Sequence, residues 1–252
     1  RERGITILAK NTAIHYKDYK INIMDTPGHA DFGGEVERIM HMVDGVLLVV
    51  DAYEGTMPQT RFVLKKALAA HVKPIVVINK VDRPVVRIQE VMDEVLELFM
   101  ELGADDNQLD FPTVFVSALN GTSSLDPDIS TQVPNMDCLF DMIINEIPAP
   151  AVDVEGGLQL QPALLDYNDD VGRIGIGRIQ RGSIKVNENV VCLRTDGSKT
   201  QFRVQKLFSY LGMHRFEVEE ASAGDIVAVA GLADIGVGET ICEPSCEEAL
   251  PL

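Results

Sequence analysis

The sequence predicts an α/β domain built on a parallel sheet, followed by a small all-β domain. Three observations support this: apolar segments alternate with helical periodicity in the first half, a linker-like segment follows, and short alternating segments run to the end. The linker, residues 148–157, is rich in Pro, Ala and Gly. Because 252 residues exceed the usual ~100–200 of one domain, we expect domains at 1–149 and 150–252.

The first half alternates strands and helices in an order typical of a parallel sheet between helices. Continuous apolar segments predict buried strands at 45–50 and 75–78, and a short strand is expected at 113–116. Two further strands are expected near the N-terminus, at 6–16 and 19–25. Helical periodicity covers residues 31–43, 59–71, 88–102 and 136–147.

In the second half of the chain, the pattern of apolar residues is different. Short alternating segments bounded by Gly, Asn and Asp predict a small β-barrel. The expected strands are 173–179, 183–186, 190–194, 202–207 and 225–230.

Composition limits the possible partners. The net charge of −17 argues against a general binder of polyanions such as DNA. No segment approaches the ~20 apolar residues of a membrane span, and the N-terminus does not resemble a signal peptide. We therefore expect neither a DNA nor a membrane partner. The four cysteines lack the spacing of a zinc site and are interpreted as reduced thiols of a cytoplasmic protein.

One segment of the second domain is basic within this acidic chain. Residues 173–206 carry eight basic side chains against Glu188 and Asp196, a local excess of six positive charges. The segment is either a solvated strand face or a contact with phosphates, and both interpretations stay open.

The segment Asp25-Thr-Pro-Gly28-His29 lies between a predicted strand and a predicted helix. A carboxylate at the end of a strand can hold a magnesium-bound water, and the amide of Gly28, which no side chain shields, can reach a terminal phosphate. Near the N-terminus, the hydroxyl of Thr6 in Arg3-Gly4-Ile5-Thr6-Ile7 is a second candidate magnesium ligand.

A further pair of loops predicts a site for guanine. Asn79-Lys80-Val-Asp82 follows the predicted strand 75–78, and Ser117-Ala118-Leu119 follows 113–116. A carboxylate can accept hydrogen bonds from both N1 and the exocyclic N2 of guanine, which adenine cannot supply. The aliphatic stem of Lys80 can lie along the base, and backbone amides after Ser117 can meet the guanine oxygen.

These motifs, in this order, resemble those of the translational GTPases, the group that contains elongation factors Tu and G. His29 after Pro27-Gly28 is typical of that group, since most other small GTPases have Gln there. Four segments are similar to the BipA/TypA family in particular: Gly28-His-Ala-Asp-Phe-Gly-Gly-Glu-Val-Glu-Arg38, Leu109-Asp-Phe-Pro112, Ala118-Leu-Asn-Gly121 and Leu165-Asp-Tyr-Asn168.

The resemblance implies an enzyme that hydrolyses GTP when the ribosome stimulates it. Thr6 would bind Mg²⁺, Asp25 would position the ion through water, and Gly28 would contact the γ-phosphate. His29 would orient the attacking water, with Ile5 in an apolar gate beside it. The residues expected to bind the guanine nucleotide are Asp25, Gly28, Asn79, Lys80, Asp82, Ser117 and Ala118.

The resemblance also implies that the second domain docks on ribosomal RNA and proteins of the small subunit. Within the basic segment, Arg178, Arg181 and Lys185 are the candidate ribosome contacts.

The phosphate-binding loop of the family, G-x-x-x-x-G-K-[ST], does not occur in the 252 residues. The resemblance implies that this loop and a preceding strand, beside the strand at 19–25, lie upstream, and that further domains follow Leu252. We therefore expect this chain as it stands to bind GTP or GDP weakly or not at all, with a disturbed sheet or another segment in the gap.

Two other classes of function compete with a GTPase. A non-catalytic ribosome-binding module stays open, and titration with a labelled guanine nucleotide distinguishes it from a GTPase. An ATPase or a metabolic α/β enzyme is disfavoured, because Asp82 would then face the wrong base.

Overall fold

A computed structural model describes residues 10–26, 33–212 and 214–252. The chain divides into two structural units. One consists of the described residues of Gly28–Ala149, and the other joins those of Arg1–Pro27 to Pro150–Leu252. Each unit has its own hydrophobic core.

The first two strands form a hairpin of their own. Strands β1 (Lys10–Tyr16) and β2 (Tyr19–Asp25) pair antiparallel over their whole length. Ala13 and Gly212 exchange two backbone hydrogen bonds, with N···O distances of 3.2 and 2.6 Å. The Lys20 ammonium lies 3.0 Å from an Asp225 carboxylate oxygen and 2.7 Å from the Ser209 hydroxyl. The hairpin therefore packs on the β-rich unit.

This placement differs from the expected first domain of residues 1–149 and from the expected position of the strand at 19–25 in the parallel sheet. Among the described strands, β2 pairs with β1 and with no other. The physical reason is that polar groups of the hairpin form hydrogen bonds with residues of the all-β unit. Asp225 accepts from both Lys20 and the Asn22 amide, and the edge of β1 bonds to Gly212.

The second sheet is parallel, as the apolar segments predicted. Strands β3 (Gly45–Asp51), β4 (Lys73–Asn79) and β5 (Thr113–Ser117) run parallel, and β6 (Thr122–Ser124) adds an antiparallel edge. The central strand β4 is buried at every position from Pro74 to Ile78. Burial on both faces explains why this strand is apolar throughout instead of alternating.

Among the described residues, five α-helices accompany this sheet: α1 (Gly33–Met40), α2 (Pro58–Ala69), α3 (Ile88–Glu101), α4 (Asp106–Leu109) and α5 (Asp137–Glu146). Leu64 of α2 and Phe99 of α3 are fully buried in one core with Ile78 of β4. Leu139 of α5 packs in a second core with Val77, whose side chain alternates with that of Ile78 along β4. Helices thus cover both faces of the sheet, which confirms the α/β prediction.

The other unit is all-β after residue 158. Nine of its strands form one antiparallel sheet in the order β12-β11-β17-β7-β9-β16-β13-β14, with β8 beside β9, and β10 and β15 form a separate pair. One apolar core that includes Ile179, Leu207 and Val229 lies inside. The strands are β7 (Gln159–Leu160), β8 (Leu164–Asn168), β9 (Gly172–Arg181), β10 (Ser183–Lys185), β11 (Asn189–Leu193), β12 (Lys199–Arg203), β13 (Lys206–Leu211), β14 (His214–Glu217), β15 (Glu220–Ser222), β16 (Ile226–Ala230) and β17 (Thr240–Cys242).

One strand prediction, residues 202–207, is wrong. The structure ends β12 at Arg203 and begins β13 at Lys206. Between them the Val204 amide donates to the Glu188 carbonyl, and the Gln205 amide donates to the Ala230 carbonyl. The chain leaves the neighbourhood of β11 and joins β16 here, while the alternation of apolar side chains continues. Periodicity alone does not reveal a change of partner strand.

No helix within the described ranges combines the length and the apolar composition needed to cross a membrane.

Candidate functional site

The candidate base-binding residues lie at the carboxyl ends of two adjacent parallel strands. Asn79 is the last residue of β4 and Ser117 the last of β5. Parallel pairing of Val76–Ile78 with Thr113–Phe115 brings both strand ends to the same edge of the sheet. The loops that begin there carry Lys80, Asp82 and Ala118. In open α/β sheets, ligands bind at this edge.

The side chain of Asn79 connects the two loops. Its Oδ1 accepts a hydrogen bond of 3.0 Å from the Ala118 amide. The sequence had placed the amides after Ser117 against a guanine oxygen, and in this structure Ala118 uses its amide to hold Asn79. The Asn79 carbonyl accepts from the Ala52 amide at 2.9 Å, so the end of β3 is attached as well.

Lys80 adopts a backbone conformation that is uncommon for a side-chain-bearing residue. Its φ is 66°, in the left-handed region, where an L-residue costs about 1–2 kcal/mol. Its ammonium lies 3.1 Å from the Asp51 carboxylate at the end of β3. Strain of this kind concentrates at functional sites, and the ion pair holds the strained lysine in one position.

Asp51 is itself held by the turn that follows β3. One carboxylate oxygen accepts from the Tyr53 amide at 2.8 Å and from the Glu54 amide at 3.1 Å. Partial burial opposes ionisation of Asp51. The two amide hydrogen bonds and the Lys80 ammonium outweigh this effect and hold the pKa of its carboxyl below the usual value.

Asp82 has a partner in the loop after β5. The Asn120 side-chain amide donates to its Oδ2 at 3.1 Å. The Asn120 backbone amide donates to the Ser117 hydroxyl at 3.3 Å, and Ser117 is buried, with 1% exposure. Leu119, between them, is 89% exposed. The five residues expected around the base, Asn79, Lys80, Asp82, Ser117 and Ala118, therefore lie in two connected loops.

The two loops present an acceptor group and apolar surface. Asp82 offers a carboxylate at the surface, Lys80 offers an aliphatic stem, and Leu119 is an exposed apolar side chain in the loop after β5. Asn79 and Ser117 serve mainly to hold the loops together. The structure thus brings together the residues that the sequence places around a guanine base.

Of the residues expected around the phosphates and Mg²⁺, Asp25 lies within the described ranges. Asp25 is the last residue of β2, opposite Lys10 in the hairpin, and belongs to the other structural unit. The remaining expected residues, Thr6, Gly28 and His29, together with Ile5, lie outside the described residues.

Three residues of these loops received no individual role from the sequence: Asp51, and Leu119 and Asn120, which lie inside the segments quoted above. Asp51 ends a predicted strand, as Asn79 and Ser117 do, so the rule that ligands meet the carboxyl ends of parallel strands offered a signal. Asn120 lies in the family-like segment Ala118-Leu-Asn-Gly121, but its contact with Asp82 spans 38 residues of sequence and no local pattern indicates it.

The three candidate ribosome contacts differ in exposure and in the contacts that they already make. The Arg181 guanidinium donates to the Gly157 carbonyl at 2.6 Å and to Glu248 at 3.1 Å, so partners in its own structural unit already engage it. Lys185 is 64% exposed and lies 3.7 Å from Glu220, which is also exposed. Arg178 is half-buried on β9. The basic segment therefore does not act as one uniform positive face.

Several other basic side chains of that segment are also paired. Arg194, 13% exposed, binds Glu239 and Asp234, while Lys199 and Lys206 bind Glu247 and Glu217. These contacts cancel much of the local charge excess that the sequence suggested.

All four cysteines are free thiols. Burial raises the pKa of Cys192 to about 12 and that of Cys242 to about 11, so both stay protonated at neutral pH. Their environment is that of core residues.

Comparison with known protein families agrees with the fold and the loops. The model of the elongation factor Tu GTP binding domain matches residues 1–149, and that of elongation factor Tu domain 2 matches residues 172–242. The chain therefore belongs to the elongation factor Tu GTP-binding domain family. The range 1–149 includes the hairpin β1–β2, which packs on the barrel unit here.

Individual relatives identify a narrower group within this family. The large ribosomal subunit assembly factor BipA of Bacillus subtilis is 62% identical over 252 residues, covering 100% of this chain and 41% of that protein. BipA of Salmonella typhimurium is 55% identical over 251 residues, covering 100% of this chain and 41% of its own length. These identities confirm the predicted resemblance to BipA/TypA. The chain spans about two fifths of the length of these relatives.

A solved structure supports the same fold. Translation elongation factor SelB from Methanococcus maripaludis, in complex with the GTP analogue GppNHp, has a TM-score of 0.74 and 23% identity to this chain. The match covers 96% of this chain and 50% of that one. The predicted architecture, a GTPase-like α/β domain followed by a β-barrel domain, is confirmed.

The ion pair between Asp51 and Lys80 leads to a prediction on pH and stability. We expect Asp51→Asn to lower the free energy of unfolding by about 1 kcal/mol at neutral pH, since Asn keeps an acceptor for the turn amides but loses the charge. Because the folded pKa is depressed, this stabilisation is present above 3.8, the ordinary value, and is lost as the pH falls through the lower folded value.

Urea unfolding followed by circular dichroism, at neutral pH and at successively lower pH values below 3.8, measures this difference. Glu97→Gln, at an exposed position of α3, is the matched control and should change stability little. A stability loss in Asp51→Asn that persists unchanged at low pH contradicts the ion-pair assignment.

Proposed function

We propose that this chain carries the nucleotide-binding and second domains of a translational GTPase that hydrolyses GTP when the ribosome stimulates it. The observation that carries the proposal is the convergence of Asn79, Lys80, Asp82, Ser117 and Ala118 at one edge of the parallel sheet. The family match to a GTP-binding domain and the resemblance to BipA support it.

Selection of guanine falls to Asp82. Its carboxylate accepts hydrogen bonds from N1–H and from the 2-amino group of guanine. Adenine presents an acceptor at N1 and has no 2-amino group, so it leaves the carboxylate unpaired and unfavourably desolvated. The Lys80 stem and Leu119 offer apolar surface to the faces of the base.

Phosphate binding and hydrolysis fall to residues that the resemblance assigns. Thr6 and Asp25 would hold Mg²⁺, which offsets negative charge on the phosphate oxygens. The Gly28 amide would donate to the γ-phosphate, and His29 would orient the attacking water. GTP and GDP are the proposed ligands, with the ribosome as activator.

The ribosomal partner is proposed from the relatives, which are named large ribosomal subunit assembly factors. Such a partner implies a cytoplasmic protein. Of the candidate contacts, Lys185 suits phosphate binding best. Its pairing with Glu220 is at the surface, where ion pairs contribute only about 0–1 kcal/mol, so a phosphate can replace Glu220 at little cost.

The base assignment is tested by Asp82→Asn in the full-length natural protein. The amide loses one acceptor and gains a donor, which suits the extra carbonyl of xanthine. We expect GDP affinity to fall about 10- to 100-fold, because hydrogen bonds to charged groups contribute about 1.5–3 kcal/mol. Affinity for xanthosine diphosphate should rise.

Competition against a fluorescent guanine nucleotide measures both affinities. Asp110→Asn, the same change at an exposed position after α4, is the control and should bind GDP as the unmodified protein does. An unaltered preference for GDP in Asp82→Asn removes Asp82 from the base site.

The role of His29 is tested by His29→Ala. We expect GDP affinity to stay within a factor of about two while ribosome-stimulated turnover falls about 10²–10⁴-fold, the usual contribution of a group that positions or activates water. Phosphate release with and without ribosomes is the measurement. His41→Ala, at an exposed site after α1, should retain stimulated turnover, and a His29→Ala protein that does the same would disprove the assignment.

The ribosome contact is tested by Lys185→Glu. Loss of one phosphate contact should weaken ribosome association and lower the slope of log affinity against log salt by about 0.7–1. Lys65→Glu, the same charge reversal on an exposed position of α2, is the control. Arg181→Glu is unsuitable, because it also breaks the contacts of Arg181 with Gly157 and Glu248. An identical salt slope for Lys185→Glu and the unmodified protein assigns Lys185 to a solvated surface.

A further inference from the structure

Asn120 occupies a fixed position beside the residue that is proposed to select guanine. Its backbone amide is anchored on the hydroxyl of Ser117, which is buried at the end of β5. The next residue, Gly121, has a φ of 68°, so the chain turns sharply after Asn120. The side-chain amide reaches back across the loops to Asp82 Oδ2 at 3.1 Å.

This contact limits how the Asp82 carboxylate can rotate. Asp82 is exposed and lies in a loop, where an unpartnered carboxylate turns freely about its last side-chain bond. A hydrogen bond from Asn120 to one oxygen selects a subset of these orientations. A carboxylate has about four lone-pair sites, so the bond to Asn120 leaves acceptor capacity for two donors of a base.

Orientation affects one kind of ligand more than another. Guanine must meet both carboxylate oxygens with N1–H and the 2-amino group at once, so the carboxylate plane has to match the plane of the base. Hypoxanthine lacks the 2-amino group and offers only N1–H. A single hydrogen bond tolerates a rotated carboxylate better than a pair of parallel bonds does.

We propose that Asn120 is a positioning residue that sets the orientation of Asp82 for recognition of the guanine 2-amino group. The inference rests on the proposed function, because it assumes that Asp82 binds the base. Asn120 acts through Asp82 and not by contact with the reacting phosphates. It thereby contributes to selectivity between bases and leaves the chemical step to other residues.

A purely structural role for Asn120 has a different signature. If Asn120 only shaped the loop after β5, its loss would lower the affinity for guanosine and inosine diphosphates by the same factor. A positioning role lowers the affinity for guanosine diphosphate more than that for inosine diphosphate. The preference for GDP, which is the dissociation constant of inosine diphosphate divided by that of GDP, then decreases.

The experiment compares Asn120→Ala and Asn120→Asp with the unmodified full-length natural protein. Calorimetry with GDP and with inosine diphosphate gives the selectivity of each protein. We expect Asn120→Ala to reduce the preference for GDP by about three- to tenfold, the range of one neutral-donor hydrogen bond. Circular dichroism confirms that each variant is folded.

Asn120→Asp separates packing from hydrogen-bond donation. It keeps the shape of the side chain and the backbone anchor but places an acceptor against Asp82 Oδ2. We expect its preference for GDP to be lower than that of Asn120→Ala, because the two carboxylates repel each other. Asn107→Ala, at an exposed position of α4, is the control and should retain full selectivity.

The outcomes are distinguishable. If the unmodified protein binds neither nucleotide, the proposed function fails and this inference fails with it. If Asp82→Asn shifts the preference to xanthine while both Asn120 variants keep the selectivity of the unmodified protein, the function stands and the role of Asn120 is overturned. A reduced preference for GDP over inosine diphosphate in Asn120→Ala, with a further reduction in Asn120→Asp, supports the positioning role.

Discussion

Backbone hydrogen bonds between the parallel strands β3, β4 and β5 fix where each candidate base-contacting residue lies. The register pairs Asp51 with Asn79 and Ile78 with Phe115, so the three strands end at nearly the same level. A shift of the β3–β4 register by one residue would exchange the faces of every side chain on the moved strand, separating Asp51 from Lys80 and exposing part of the core. The chemistry of the loops therefore depends on the ladder beneath them.

Three pairwise contacts then organise the loops. Ala118 holds the side chain of Asn79, Asp51 holds Lys80, and Asn120 holds Asp82. Each contact joins residues far apart in sequence, and each consumes a polar atom that would otherwise be free to move. A site arranged in this way spends less conformational entropy when a ligand binds, which is the usual benefit of preorganisation.

The basic side chains of the barrel unit are largely paired with its own carboxylates. Most of its basic residues are engaged by carboxylates of the same unit, as Arg194 is by Glu239 and Arg181 by Glu248. In a protein of net charge −17, such pairing supports the fold and leaves few cations for an external polyanion. A ribosomal contact through this unit would rely on individual residues such as Lys185 more than on a broad positive surface.

Much of the fold was present in the sequence. Buried parallel strands are apolar at every position, so residues 75–78 indicated the centre of a sheet, and Pro58 marked the start of α2. The spacing of Asn79 and Asp82, with Ser117 after the next strand, was sufficient to predict a guanine site, because short motifs at strand ends are local in sequence. The expected roles of Thr6, Gly28 and His29 rest on the sequence and its resemblance alone.

Tertiary structure decided what depends on long-range partners. The hairpin β1–β2 has the pattern of any amphipathic strand pair, and only its contacts with Asp225 and Gly212 place it on the barrel unit. The break between β12 and β13 could not be predicted from the sequence for the same reason, since the alternation of apolar side chains continues while the partner strand changes. Local pattern fixes the type of element, because it reflects which faces are buried. The identity of the neighbour, whether Asn120 for Asp82 or Glu248 for Arg181, depends on chain folding over tens of residues, which no local pattern encodes.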